Sequence, residues 1–215
     1  MSANIGLAEF AAGYPKFHYP KNALILDGNK NINQVYFLES GLVRQYSSSR
    51  AGTIFMTHLF RAGAFFPPTA ISGSLLNSSY FEAFSPSLIR IIPINDFTSF
   101  LKNNPDILME YVTKLSRHLN MLSQRINLLT GFTAYQRTAA TILYLGERIG
   151  KKTEPNGNIL IDTFMSHKDL GYWVGATRET TSIQMKELQK RGLISYRDRK
   201  ILIDKWDQLL EETGI

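Results

Sequence analysis

The sequence predicts an α+β protein in three parts: an N-terminal jelly-roll β-barrel, one long helix, and a C-terminal winged helix-turn-helix. Three observations predict it. Short apolar runs alternate with turn signals through the first hundred residues. An unbroken 4-3-4-3-4-3 spacing of apolar residues follows from Leu108 to Leu129. The remaining residues read as small capped helices that end in a polar hairpin. The expected boundaries are 1–103 for the β-roll, 104–131 for the long helix and 132–215 for the winged helix.

In the first part, "ALIL", "QVYFL", "GLVRQY", "TIFMTHLF" and "LIRIIPI" are rich in β-branched and aromatic residues, as strands are. Between them stand "DGNKN", "ESG", "SRAG", "RAGAFFPP", "SGSLLNSS" and "SPS", where Gly, Pro, Asn and Ser favour turns. Short strands at this spacing suit a sandwich, jelly roll or barrel.

In the long helix, Leu108, Val112, Leu115, Leu119, Leu122, Ile126 and Leu129 form a heptad seam. With Leu108 at d, the a positions are Val112, Leu119 and Ile126, and every d is Leu. Mostly β-branched a residues with Leu at d favour two parallel strands, so these seven residues are the expected dimer interface. The neighbouring e and g positions (Met109, Ser116, Ser123; Tyr111, His118, Arg125) are mostly uncharged and could pack on the β domain. Pro105 suits the start of the helix and Gly131 its end.

The last part contains an amphipathic helix, "AYQRTAATILYLGERIG", a loop, "KKTEPNGN", and a short strand, "ILIDTF". Ser166 followed by Asp169 is an acidic variant of the capping box, and it opens a helix that stops at Gly175. Thr177 can cap a second helix running to about Arg191, with Gly192 after it. "LISYRDRKILID" then alternates as strand, turn, strand. Two helices joined by a tight turn and followed by a hairpin make a winged helix-turn-helix. At 100° per residue, Thr181, Gln184, Met185 and Leu188 share the inner side of the second helix. Glu179, Ser182, Ile183, Lys186 and Lys190 fall outward. Such a helix in a major groove can use Arg178 for guanine and Glu179 for cytosine. The expected DNA-binding set is Ser166, His167, Thr177, Arg178, Glu179, Thr180, Ser182, Ile183, Lys186, Arg197, Arg199 and Lys200.

Composition bounds the alternatives. The 215 residues include no Cys, which excludes disulfides, thiolate metal sites and a Cys nucleophile within this chain. No apolar run reaches the roughly 18 residues of a membrane span, and the opening residues carry no secretion signal pattern. A cytoplasmic protein is expected. Net charge is +6, and from Phe164 to Ile203 eight Lys/Arg stand against four acids. That surplus of four lies on the segment that would meet DNA.

The segment "MSHKDLGYWVGATRETTSIQMKELQKRGLISYRDRKILI" resembles the DNA-binding region of the cyclic-AMP receptor protein/fumarate-nitrate regulator (Crp/Fnr) family of bacterial transcription factors. Arg178, Glu179 and Thr180 reproduce the family's Arg-Glu-Thr. "YPKNALILDGNKNINQVYFLESGLVRQY" resembles the opening of its cyclic-nucleotide-binding-like sensor roll. The resemblance implies a homodimer on a twofold-related DNA site, controlled allosterically from the roll. It also implies RNA polymerase as a partner if the protein activates.

Two features depart from the family. Where many members carry a second Arg, five residues after the first, this chain has Ile183. Ile183 can meet a thymine methyl but cannot pair with guanine. Cyclic-nucleotide members have Gly-Glu-Leu followed by an Arg. The corresponding "AGAFFPPTAISGSLLNSSYFEAF" puts Phe65 and Phe66 at the acidic step and has no Arg. A cyclic phosphate is therefore not the expected effector. The absence of Cys likewise points away from an iron–sulfur member. No cofactor is expected, and a small-molecule effector is left unidentified, with Phe65, Phe66, Arg90, Tyr111 and His118 as candidate pocket residues.

Two rival readings stand beside this one. A β-roll also resembles a cupin, so a small-molecule-binding protein or metal-dependent enzyme is one. The four histidines, His18, His58, His118 and His167, are scattered without metal-ligand spacing. No catalytic triad or carboxylate pair stands out, so no enzyme activity and no metal site are expected. The other rival is a sensor or adaptor that does not bind DNA. The basic surplus and Arg178-Glu179 weigh against it.

Overall fold

The computed structural model describes residues 3–27, 33–49, 52–72, 79–154 and 157–214. The turn signals expected at 28–32 and 50–51, most of the Gly/Ser-rich run (73–78) and positions 155–156 lie outside the described residues. The chain forms two compact units, Met1–Leu122 and Ser123–Ile215, and the division falls inside the long helix.

The first unit is the β-roll. Its strands are β1 (Lys16–Tyr19), β2 (Leu24–Asp27), β3 (Gln34–Ser40), β4 (Leu42–Ser48), β5 (Ile54–Arg61), β6 (Phe65–Phe66), β7 (Ser79–Ala83) and β8 (Ser87–Pro93). They pair antiparallel in two four-stranded sheets, ordered β1-β8-β3-β6 and β2-β7-β4-β5. Strand alternation fills two cores. Tyr36, Leu38, Val43, Phe60, Phe66, Phe81 and Ile89 pack in one. Val35, Phe37, Phe65 and Ile92 pack in the other, together with residues of three helices.

Two of those helices were not expected. α1 (Ala3–Ala12) buries Leu7 and Ala11, one turn apart. α2 (Ile94–Asn103) likewise buries Phe97 and Leu101. The reading of the first hundred residues as strands and turns alone is corrected here. Leu7, Phe10 and Ala11 in α1, and Ile94, Phe97, Phe100 and Leu101 in α2, recur at helical spacing and pack on this core, a pattern the sequence carried.

The third is α3 (Pro105–Gly131), the expected long helix. Its rotation turns part of the predicted seam toward its own unit. Leu108 and Leu115 pack with Tyr111 on the core beneath α1 and α2. The g residues Tyr111 and His118 thus face their own unit, as expected for part of the flanking set. Val112, Leu119 and Ile126 remain bare, with Leu119 67% and Ile126 61% exposed. Met109, Ser116 and Ser123 at e lie exposed alongside them. The bare strip is therefore a/e, because the a/d seam is only one edge of a wider apolar face.

The second unit begins within α3. α4 (Ala134–Ile149) opens on a full capping box between Thr133 and Gln136. β9 (Gly150–Lys152), β10 (Ile159–Ile161), β11 (Ile194–Arg197) and β12 (Lys200–Ile203) form a sheet ordered β11-β12-β10-β9. Between β10 and β11 lie α5 (His167–Val174) and α6 (Arg178–Lys190), and α7 (Trp206–Glu211) ends the unit.

Gly41, between β3 and β4, has φ +94°, and a Cβ there would lie 2.4 Å from the Pro86 carbonyl oxygen. Gly41→Ala is expected to destabilise the protein by about 2–4 kcal/mol, combining left-handed strain with the clash. Urea unfolding should show a lower midpoint with little change in slope.

Candidate nucleic-acid interface

The helix-turn-helix is built from local signals. Ser166 accepts the Asp169 N–H (3.1 Å), and the Asp169 carboxylate accepts the Ser166 N–H (3.0 Å) and O–H (2.6 Å). Gly175, at φ +68°, turns the chain in the left-handed region. Thr177 then accepts the Thr180 N–H at 3.1 Å and starts α6. Arg137 donates from Nε to the Val174 carbonyl (2.9 Å) and from Nη1 to the Phe132 carbonyl (2.7 Å). Arg125 donates to the Trp173 carbonyl at 3.0 Å. Two guanidinium groups thus satisfy the C-terminal carbonyls of α5, where positive charge is favoured.

Packing fixes the rotation of α6. Thr181, Met185 and Leu188 are buried against α4, α5 and β11. Gln184, expected on that side, is half-exposed. Arg178, Glu179, Ile183 and Lys186 face outward, and Ile183 is 63% exposed. Among the described residues, Arg178, Glu179 and Lys186 make no ion pair. Arg191, at the end of α6, is committed instead. It pairs with Glu187 (2.8 Å) and Glu212 (3.0 Å) and lies 4.9 Å from the centre of the Tyr135 ring.

The wing is the β11–β12 hairpin. Its turn residues Asp198 (φ +50°) and Arg199 (φ +64°) give it the left-handed pair of a tight two-residue turn. Arg197 is exposed. Arg199 stacks on Phe164, 4.8 Å from the ring centre. Lys200 bonds Asp162 at 2.6 Å, and Lys151 bonds the same carboxylate at 2.5 Å. Lys151, then Lys200, hold the Asp162 carboxyl down at about 2.

The predicted DNA-binding residues therefore divide. Arg178, Glu179, Ile183, Lys186 and Arg197 are exposed and uncommitted; Ser182 is half-exposed beside them. Ser166, Thr177 and Thr180 serve the helix starts, and Lys200 is ion-paired. His167 lies where α5 begins, with Nε2 3.3 Å from the Tyr196 hydroxyl. Burial, then Arg178 and Lys186, lower the His167 pKa below its ordinary range. Tyr196 was not predicted. It is 41% exposed in a basic hairpin, a signal available from the sequence, but its partner lies 29 residues away.

The candidate pocket residues do not converge. Phe65 and Tyr111 share the core under the helices, where burial pushes the Tyr111 hydroxyl up to about 12. Phe66 lies in the other core of the roll. Arg90 is held by Glu39 and by the carbonyls of Ala12 and Tyr14. His118 meets His58 edge-on, with ring centres 4.4 Å apart. The candidates were expected together near the junction of roll and long helix, but consecutive strand residues such as Phe65 and Phe66 take opposite faces of the sheet.

Comparison with known proteins places both units. Residues 16–104 match the cyclic nucleotide-binding domain model, and residues 136–212 match the Crp-like helix-turn-helix domain model. The cAMP-activated global transcriptional regulator CRP of Pasteurella multocida is 26% identical over 186 residues, covering 86% of this chain and 88% of the relative. A CooA mutant from Carboxydothermus hydrogenoformans superposes with TM-score 0.79 at 21% identity, over 95% of this chain and 90% of that one. TTHA1359, a CRP/FNR-family transcriptional regulator from Thermus thermophilus, gives TM-score 0.73 at 25% identity, over 94% and 99%.

Gly171 lies where α5 meets the turn. A Cβ there would approach the Ala176 carbonyl oxygen to 2.8 Å and Thr181 Oγ1 to 3.3 Å. Gly171→Ala is expected to cost about 1–3 kcal/mol by overpacking. Thermal unfolding of the purified variant, followed by circular dichroism, checks this.

Proposed function

We propose that this chain, which belongs to the Crp/Fnr family of transcription regulators, acts as a homodimer whose two α6 helices read a twofold-related DNA site. The observation that carries the reading is the outer face of α6. Arg178, Glu179, Ile183 and Lys186 are presented together while the opposite face is buried. Arg178 and Glu179 sit in the first turn, where recognition helices meet base edges. In this reading Arg178 takes a guanine, Glu179 a cytosine amino group, and Ile183 a thymine methyl. Lys186, Arg197 and Arg199 serve phosphates.

The bare a/e strip of α3 supports the dimer. Met109, Val112, Leu119 and Ile126 recur at helical spacing on one face, and a second copy would cover them. Control from the roll follows the family's logic, in which an effector biases two arrangements of the dimer. Phe65 and Phe66 occupy the step where cyclic-nucleotide members carry an acid, so the effector we infer is not a cyclic nucleotide. Among the described residues no group of three or more His, Cys, Asp or Glu could hold a metal ion, and no helix is long and apolar enough to cross a membrane.

Three outcomes test this reading. Arg178→Ala and Glu179→Ala should each weaken binding to a selected site by about 1–3 kcal/mol, read in a gel shift. Unchanged site-specific affinity in both removes α6 as the reading element. Ile183→Arg should change the sequence recovered by selection from random DNA, with guanine entering at one step of each half-site. Leu119→Asp and Ile126→Asp should convert the dimer to monomers in sedimentation. Each apolar side chain contributes about 1.5–3 kcal/mol when buried, and a carboxylate in its place must be desolvated.

A further inference from the structure

A polar contact joins the wing to the first helix of the helix-turn-helix, His167 with Tyr196 at 3.3 Å. We propose that this pair is a proton-coupled contact to the DNA backbone: His167 is neutral in the free protein and takes up one proton when a phosphate docks, with Tyr196 as its positioning residue. This rests on the reading of α6 as a DNA-binding helix and adds a pH dependence to it.

The geometry favours a neutral imidazole before DNA arrives. In the arrangement we propose, the Tyr196 O–H donates to His167 Nε2, a bond open only while that nitrogen is unprotonated. Arg178 and Lys186 approach from α6, and both repel a third positive charge. On α5 itself, Lys168 is adjacent, and the Asp169 carboxylate is turned back to the Ser166 N–H and O–H. His167 is also the first residue of its helix, where unsatisfied N–H groups disfavour a cation. Half-burial acts in the same direction and holds its pKa below the ordinary imidazole range.

A phosphodiester offsets the charge terms. Its negative charge counters Arg178 and Lys186, and its oxygen accepts a charge-assisted Nε2–H from the doubly protonated ring. The proton comes from solvent, one per His167. Tyr196 then gives up Nε2 as an acceptor and can donate to the same phosphate. Because the contact is to the backbone, the effect does not depend on base sequence.

The sign follows from linkage. Binding takes up protons only between the lower pKa of the free protein and the higher pKa of the complex. Affinity therefore rises as pH falls through that window and is flat on either side. The limit is about tenfold per pH unit for each protomer.

The test measures anisotropy of a labelled mixed-sequence duplex of about 30 base pairs, long enough for two half-sites one helical turn apart. The full chain is titrated at constant ionic strength from about pH 5.5 to about pH 8, the range in which imidazole changes charge. Wild type should bind more tightly as pH falls, and His167→Gln should lose that slope. Tyr196→Phe should keep the slope but reach its low-pH plateau at higher pH, since losing a donor to the neutral ring raises the free-protein pKa. Proton NMR of the His167 ring should show its midpoint rising when duplex is added. A flat wild-type profile, or a His167→Gln profile parallel to wild type, overturns the proposal while leaving DNA binding intact. Absence of duplex binding at every pH would instead sink the α6 reading and this proposal with it.

Discussion

The burial of Thr181, Met185 and Leu188 is the constraint from which the outer face of α6 follows. Three side chains spaced four and three residues apart fix the rotation of a helix as a key fixes a shaft. Once they are inside, Arg178, Glu179, Ile183 and Lys186 have nowhere to go but out. The surroundings then hold α6 at both ends. Thr177 satisfies its first turn. Arg191 ties its last turn to Glu212 and stacks on Tyr135. The preceding helix is held by Arg125 and Arg137 on its final carbonyls. A rigid scaffold under four uncommitted side chains is what sequence reading by direct contact requires.

The roll shows a parallel economy with a different outcome. Phe65 and Phe66 are consecutive and point to opposite faces of β6. Phe66 stacks on Phe81 at 5.5 Å inside the roll, whereas Phe65 stacks on Phe97 at 4.9 Å beneath the helices. One dipeptide thereby joins two cores. The match to the cyclic nucleotide-binding domain model covers this region, and here both aromatic side chains are used for packing. A shared fold does not by itself assign a ligand.

Legibility in the sequence tracked how local each signal was. The caps at Ser166 and Thr177, the left-handed Gly175 and the inner face of α6 depend on neighbours within a turn or two, and all were readable. The helices α1 and α2 also carried a local pattern, Leu7, Phe10 and Ala11 in one and Ile94, Phe97, Phe100 and Leu101 in the other, but it stands next to strand-like runs and was not separated from them. The seam on α3 was readable as apolar but not as to its partner. Leu108 and Leu115 satisfy the heptad equally well facing the roll or a second copy, and only the position of Tyr111 decides. The pairing of Lys200 with Asp162 and of His167 with Tyr196 spans 38 and 29 residues, so periodicity carried no trace of either. The effector pocket was the least legible part, since it depended on how the roll meets the long helix, a contact between residues far apart in sequence.

We propose that α6 enters the major groove as one of a symmetric pair, with Arg178 on a guanine. Methylation interference tests it most directly, because dimethyl sulfate modifies guanine N7, the acceptor Arg178 would use. On a duplex selected by the full chain, methylation should block binding at guanines in two half-sites whose centres lie about 10 base pairs apart or a multiple of that. The corresponding block should disappear for Arg178→Ala. Binding that is indifferent to guanine N7 methylation, or a block that persists unchanged in Arg178→Ala, would contradict it.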